Sequence, residues 1–131
     1  MEQKTLDTLV VAAREASAHS YSPYSGFPVG AAVLAESGKV YAGANVENAS
    51  YGATVCAERV AILKAVSEGE RKILAIAVYA GGAEFAVPCG MCLQVLSEFA
   101  EDIPVMLAGK GGSKRCSLSE LLPHRFDKDQ L

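Results

Sequence analysis

Two short segments concentrate the reactive side chains of this sequence, Cys56-Ala57-Glu58-Arg59 and Pro88-Cys89-Gly90-Met91-Cys92. Each falls where a loop is expected to turn into a helix. A helix start favours a thiolate over a thiol, because its unpaired N–H groups and the positive end of its dipole attract negative charge. Zn²⁺ takes thiolate sulfurs at about 2.3 Å, and a catalytic zinc keeps three protein ligands and one position open to water. Cys56, Cys89 and Cys92 supply that count. Three thiolates around one Zn²⁺ leave about one excess negative charge, which a nearby cation must offset. Arg59, on the same expected helical face as Cys56, can do so. Glu58 is adjacent to a ligand without being one, so its carboxylate can pass a proton from a water beside the metal to a substrate nitrogen.

Two other chemistries use the same residues. Cys89 and Cys92 have the spacing of a redox dithiol. A fully structural zinc site would need a fourth ligand, for which Cys116, His19 and His124 are the spare candidates. Their own settings point elsewhere: Cys116 to a small core or strand residue, His19 to a helix end and His124 to a solvated loop.

The elements that must position these groups follow from periodicity. From Leu6 to about Ala18, Leu6, Leu9, Val10, Ala13 and Ser17 recur at helical spacing. The stretch from Tyr21 to Pro28 holds two prolines and a glycine and is expected to be an ordered loop. A hairpin is predicted from Ala31–Leu34 to Val40–Ala42 around Glu36–Lys39. A helix from Cys56 to Val66 stops at Gly69, and Ile73–Tyr79 reads as a strand buried on both faces. A second helix over Cys89–Phe99 leads to a strand at Val105–Leu107. A loop over Gly109–Ser113, an edge strand at Arg115–Ser117 and a short helix at Leu118–Leu122 complete the chain. This order predicts an α/β fold, a three-layer α/β/α sandwich with a mixed sheet, formed by one domain over residues 1–131.

Composition narrows the partners. Twelve Lys and Arg against 15 Asp and Glu give a formal charge of −3, which argues against polymeric nucleic acid. No apolar run approaches the length of a membrane span, and Met1-Glu2-Gln3-Lys4 does not open a signal peptide, so a cytoplasmic protein with no membrane partner is expected. Half the residues are hydrophobic, and in a chain this small that favours assembly.

The Cys-x-Glu and Pro-Cys-x-x-Cys elements are the signature of zinc nucleobase deaminases. The likeness extends well beyond it. Tyr21-Ser22-Pro23-Tyr24-Ser25, Phe27, Val29-Gly30-Ala31-Ala32, Asn45-Val46-Glu47-Asn48-Ala49-Ser50-Tyr51-Gly52 and Leu121-Leu122-Pro123 resemble the small homotetrameric cytidine deaminases, and the resemblance runs from about Leu6 to Phe126. It implies a cytidine deaminase-like fold and a pyrimidine-salvage enzyme that converts cytidine or deoxycytidine to uridine or deoxyuridine plus ammonia, using zinc-bound hydroxide. By the same resemblance, Cys56, Cys89 and Cys92 bind zinc and Glu58 shuttles protons. Asn45 and Glu47 hold the ribose hydroxyls, Phe27 and Ala57 contact the nucleoside, and Phe126 reaches the base across a subunit boundary. One position departs from the pattern: Leu93 stands where the family usually has Arg, ahead of Gln94-Val95. That leaves Arg59 as the compensating cation within the chain. Deamination of another aminopyrimidine nucleoside, such as blasticidin S, is the alternative enzyme reading, and a non-catalytic zinc module that binds a partner is the alternative of a different class.

Overall fold

The computed structural model describes residues 1–131. Strands β1 (Gly30–Ala35), β2 (Val40–Ala44), β3 (Ile73–Ala80), β4 (Pro104–Gly109) and β5 (Gly112–Ser117) form one sheet in the order β2-β1-β3-β4-β5. Only β3 and β4 run parallel, so the sheet is mixed as expected. Four α-helices accompany it: α1 (Gln3–Ser17), α2 (Ala57–Ser67), α3 (Gly90–Glu98) and α4 (Leu118–Leu121).

Alternation along the strands divides the core between the two faces of the sheet. On one face, Ala32, Ala75, Ala77 and Met106 bury against Leu6, Leu9 and Ala13 of α1. The small strand residues let α1 lie close. A β-carbon added at Gly30 would stand 2.5 Å from the Ser17 nitrogen, so only glycine fits under the helix there. On the other face, Ala31, Val33, Ile76, Val105 and Leu107 pack with Ala61 and Ile62 of α2 and Leu93 and Leu96 of α3. Helices therefore cover both faces of β3, which explains its almost continuous apolar sequence.

This second layer aims the starts of α2 and α3. Helix α2 carries the chain from β2 across β1 to β3, and α3 joins the parallel pair β3 and β4. The expected β1–β2 hairpin is present, with Gly38 at φ +92° in its turn.

Two boundaries differ from the sequence reading by three residues, the others by no more than two. Helix α1 begins at Gln3, before its first buried residue, because a helix's apolar face does not mark its first turn. The predicted loop at Gly109–Ser113 is a tight turn that pairs Gly109 with Gly112, and β5 starts at Gly112. Gly112–Arg115 are exposed, so this edge strand shows no alternation of apolar residues. No helix is long and apolar enough to cross a membrane.

Candidate active site

Cys56 is the N-cap residue of α2 and Cys89 that of α3, and neither side chain makes a capping hydrogen bond. Cys92 lies in the first turn of α3. The two helix starts bring the three sulfurs within 4.8 Å of one another, with Cys89 Sγ and Cys92 Sγ 3.5 Å apart. Three sulfurs on one tetrahedral zinc with bonds of about 2.3 Å stand roughly 3.8 Å apart, so this donor set fits the ion. Arg59 points its guanidinium at the cluster, with Nη2 3.8 Å from Cys56 Sγ and 3.4 Å from the Thr54 carbonyl oxygen. Its Nε is buried without a hydrogen-bond partner.

The charges follow from these contacts. The hydrogen bond shared with Cys92 pulls the Cys56 thiol down to about 5, and the Arg59 guanidinium adds to the effect against the opposing pull of burial. Cys92 is pushed up by the same hydrogen bond and by burial, so the proton of this pair resides on Cys92. Cys56 in turn raises the pKa of Arg59 and holds it charged. Glu58 is only 5% exposed; burial, reinforced by the negative charge of Cys56, raises its pKa above the ordinary carboxylate value. A carboxyl group with a raised pKa is suited to carrying a proton.

A cavity of about 410 Å³ opens beside the thiols, and its lining includes Phe27, Asn45, Glu47, Ala57, Glu58 and Phe85. No Lys, Arg or His lines it. Asn45 and Glu47 are buried and also brace the Tyr21–Pro28 loop. Asn45 Oδ1 accepts from Ser20 Oγ at 2.5 Å and Val29 N at 2.9 Å, while Nδ2 donates to the Phe27 carbonyl at 3.0 Å. Glu47 accepts from the Tyr24 and Ser25 amides at 2.9 and 3.0 Å and from the Ser25 hydroxyl. The Ser25 hydroxyl, followed by these amides, lowers the Glu47 pKa.

The structure thus gathers Cys56, Cys89, Cys92, Glu58 and Arg59 at one centre, with Phe27, Asn45, Glu47 and Ala57 around the adjoining cavity. Phe126 does not join them. Its ring is 57% exposed, and its carbonyl accepts from Gln94 Nε2 at 2.7 Å beside α3. Cys116 pairs opposite Val105, and neither it nor His19 or His124 belongs to the thiol group, which leaves a structural four-ligand zinc without its fourth residue. The redox reading of Cys89 and Cys92 gives no account of the third thiol that shares their hydrogen bonds. Leu93 packs into the core layer beneath α2 and α3. The sequence reading missed the Ala83–Val87 wall of the cavity and Ser25; the available signal was an apolar stretch held between Gly81-Gly82 and Pro88.

Three convergent thiols, a buried carboxyl group and a cation on a helix-flanked mixed sheet define a zinc-binding deaminase-type centre. Residues 3–107 match the family described as the cytidine and deoxycytidylate deaminase zinc-binding region. A cytidine deaminase of Sporosarcina psychrophila is 44% identical over 96% of this chain and 94% of its own length. A cytidine deaminase of Halalkalibacterium halodurans is 45% identical over 100% of this chain and 98% of its own. The crystal structure of cytidine deaminase from Burkholderia pseudomallei superposes with a TM-score of 0.87 at 41% identity, covering 96% of this chain and 100% of that one. The chain belongs to the cytidine deaminase family.

Proposed function

We propose that this chain hydrolyses cytidine and deoxycytidine to uridine and deoxyuridine with release of ammonia. The observation that carries the reading is the placement of the three-thiol centre and buried Glu58 at a nucleoside-sized cavity edged by Asn45 and Glu47. Zinc held by Cys56, Cys89 and Cys92 supplies Lewis acidity and a water of lowered pKa. Glu58 would take a proton from a water at the centre and deliver it to N3 of the pyrimidine as the remaining hydroxide adds to C4, and would then move the proton of the new C4 hydroxyl to the amine, which leaves as ammonia when the C4 carbonyl forms. Arg59 keeps Cys56 in its anionic form. Asn45 and Glu47 bind the sugar hydroxyls while holding the loop that presents Phe27 to the base, and Ala57 contacts the base beside the centre.

The cavity favours a nucleoside over its 5′-phosphate. It offers a phosphate no cation, and it already contains the carboxylate of Glu47. The same Asn45 and Glu47 groups favour an ordinary ribose over the altered sugar of blasticidin S. We infer further that the 131-residue chain works as one domain in a cytoplasmic homotetramer and serves pyrimidine salvage, with Phe126 of one subunit completing the site of another; exposure of that ring supports this reading.

A panel of cytidine, deoxycytidine, cytosine and cytidine 5′-monophosphate, followed by ammonia release and loss of cytosine absorbance, tests the proposal. Cytidine and deoxycytidine should turn over, whereas kcat/KM for the monophosphate should be lower by at least about 100-fold. Equal rates on nucleoside and nucleotide would overturn the substrate assignment, and no ammonia from any of the four would overturn the activity.

A further inference from the structure

We infer that the β4–β5 turn, Gly109-Lys110-Gly111-Gly112, is a clasp that sets the position of the substrate cavity's wall. The inference rests on reading the cavity as the nucleoside site. One wall of that cavity comes from the β3–α3 connection, which contributes Ala83, Phe85, Ala86 and Val87 and ends at Cys89. This segment has no regular secondary structure, and Val87 is 60% exposed. Apart from Ala83 N, which donates to the Ala80 carbonyl of β3 at 3.3 Å, its main-chain partners lie on the end of β4 and in the turn. Lys110 N donates to the Ala83 carbonyl at 2.9 Å, Gly111 N to the Glu84 carbonyl at 3.1 Å, and Ala86 N to the Ala108 carbonyl at 3.0 Å.

The fit depends on the absence of a side chain at Gly109. A β-carbon there would stand 2.6 Å from the Glu84 carbonyl oxygen and 2.9 Å from its carbon, both backbone atoms that cannot rotate away. At Gly111 the nearest atom is the Glu84 Oε1 at 2.6 Å, the mobile end of a side chain. The two glycines therefore predict a graded response. Alanine at Gly109 must push the Ala83–Glu84 backbone off β4, whereas alanine at Gly111 need only turn Glu84. The wall reaches the Phe27 ring as well, since a β-carbon at Gly82 would lie 3.2 Å from it. A displaced wall thus alters the space around substrate while leaving the three sulfurs on their own helix starts.

The residues of the turn are positioning residues, so the signature is a KM effect. Gly109→Ala should raise KM for cytidine at least about 10-fold, with kcat within about threefold and zinc content unchanged. Lys110→Pro removes the donor to Ala83 and sets its ring carbon against that carbonyl, pushing the wall away, while the turn itself tolerates it: proline is accepted at the first central position of a type I turn, and Lys110 has no positive φ. That variant should raise KM about 3- to 10-fold. Gly111→Ala should change KM less than twofold. Gly38→Ala, strained in the distant β1–β2 turn but meeting nothing within 4 Å, controls for general destabilisation and should leave KM alone. Unchanged KM in Lys110→Pro, or an equal rise in Gly38→Ala, overturns the clasp, and Lys110→Pro decides the matter if Gly109→Ala does not fold. Amide hydrogen exchange separates this inference from the enzymatic reading. If the parent chain fails to deaminate cytidine, exchange at the Ala86 amide should still quicken at least about 10-fold in Lys110→Pro, and unchanged exchange refutes the clasp.

Discussion

Asn45→Ala should unfold this protein more readily as well as weaken substrate binding. The side chain is 8% exposed and serves three groups at once, the Val29 amide, the Phe27 carbonyl and the Ser20 hydroxyl. Truncation leaves Ser20 a second partner in Ser22 Oγ at 3.1 Å, but it deserts the Val29 N–H and the Phe27 carbonyl. A buried polar group left without a partner costs about 1–3 kcal/mol; Val29 is half-buried and Phe27 is 39% exposed, so the lower part of that range applies to each. The expected loss is about 2–3 kcal/mol, a large share of the roughly 5–15 kcal/mol that holds a domain folded. For a chain of this size it corresponds to roughly 6–12 °C in Tm. Urea unfolding of zinc-loaded protein, at fixed protein and zinc concentrations so that neither assembly nor metal binding shifts the midpoint, measures it directly. Asn45→Asp should fall between, since it keeps an acceptor for Val29 and Ser20 but turns an oxygen toward the Phe27 carbonyl. If Asn45→Ala unfolds within about 0.5 kcal/mol of the parent, the bracing argument is wrong and the side chain serves the ligand alone.

Three further outcomes are expected. Cys89→Ala should lose stoichiometric zinc by mass spectrometry while Cys116→Ala keeps it; full zinc in Cys89→Ala would remove that ligand from the set. Glu58→Gln should retain zinc and fold but lose about two to four orders of magnitude in kcat, the scale of general acid–base catalysis, and near-parental turnover contradicts its role. Glu47 is held below the ordinary glutamate value of 4.5 by the Ser25 hydroxyl and the Ser25 and Tyr24 amides, so its contribution to stability is complete above that value and is lost as pH falls through the folded pKa. Urea midpoints taken from pH 6 down to about pH 3 should therefore fall less steeply for Glu47→Gln than for the parent, and parallel slopes count against the bracing role of Glu47.

The parts legible in the sequence were those governed by local rules. Leu6, Leu9 and Ala13 announced the buried face of α1, Gly69 the end of α2, and Ile73–Tyr79 a strand covered on both sides. The thiol cluster was legible because Cys56 and Cys89 stand at helix starts and Cys92 follows within one turn. What escaped depends on approach between distant segments. Gly109 and Gly111 read as loop residues because a glycine that makes room for another backbone looks like one that bends its own. Asn45 and Glu47 read, by resemblance, as ligand-binding residues, and nothing in their spacing shows that both brace a loop about 20 residues earlier.

Position 93 shows how local charge and core packing constrain each other. The resemblance places Arg there, directly after the last thiol, yet Leu93 is 6% exposed among the apolar residues shared by α2 and α3. It strengthens the layer that aims the two helix starts and contributes no charge. In the proposed zinc centre the offset to the thiolates within this chain would therefore fall to the two helix N-termini and to Arg59, whose Nη2 faces Cys56 and whose Nε is enclosed without a partner. An arginine enclosed beside an anionic sulfur remains charged, and removing it leaves the net charge of about −1 that three thiolates and one Zn²⁺ carry opposed only by the helix dipoles. Arg59→Gln should accordingly weaken zinc retention against a chelator by about 10- to 100-fold, the usual cost of losing a group that supports a metal's ligands. Arg59→Lys should recover only part of it, because an ammonium carries the charge without the rigid planar group that sets one nitrogen, Nη2, toward both Cys56 and Thr54. Unaltered retention in Arg59→Gln would assign the offset to the helix starts alone.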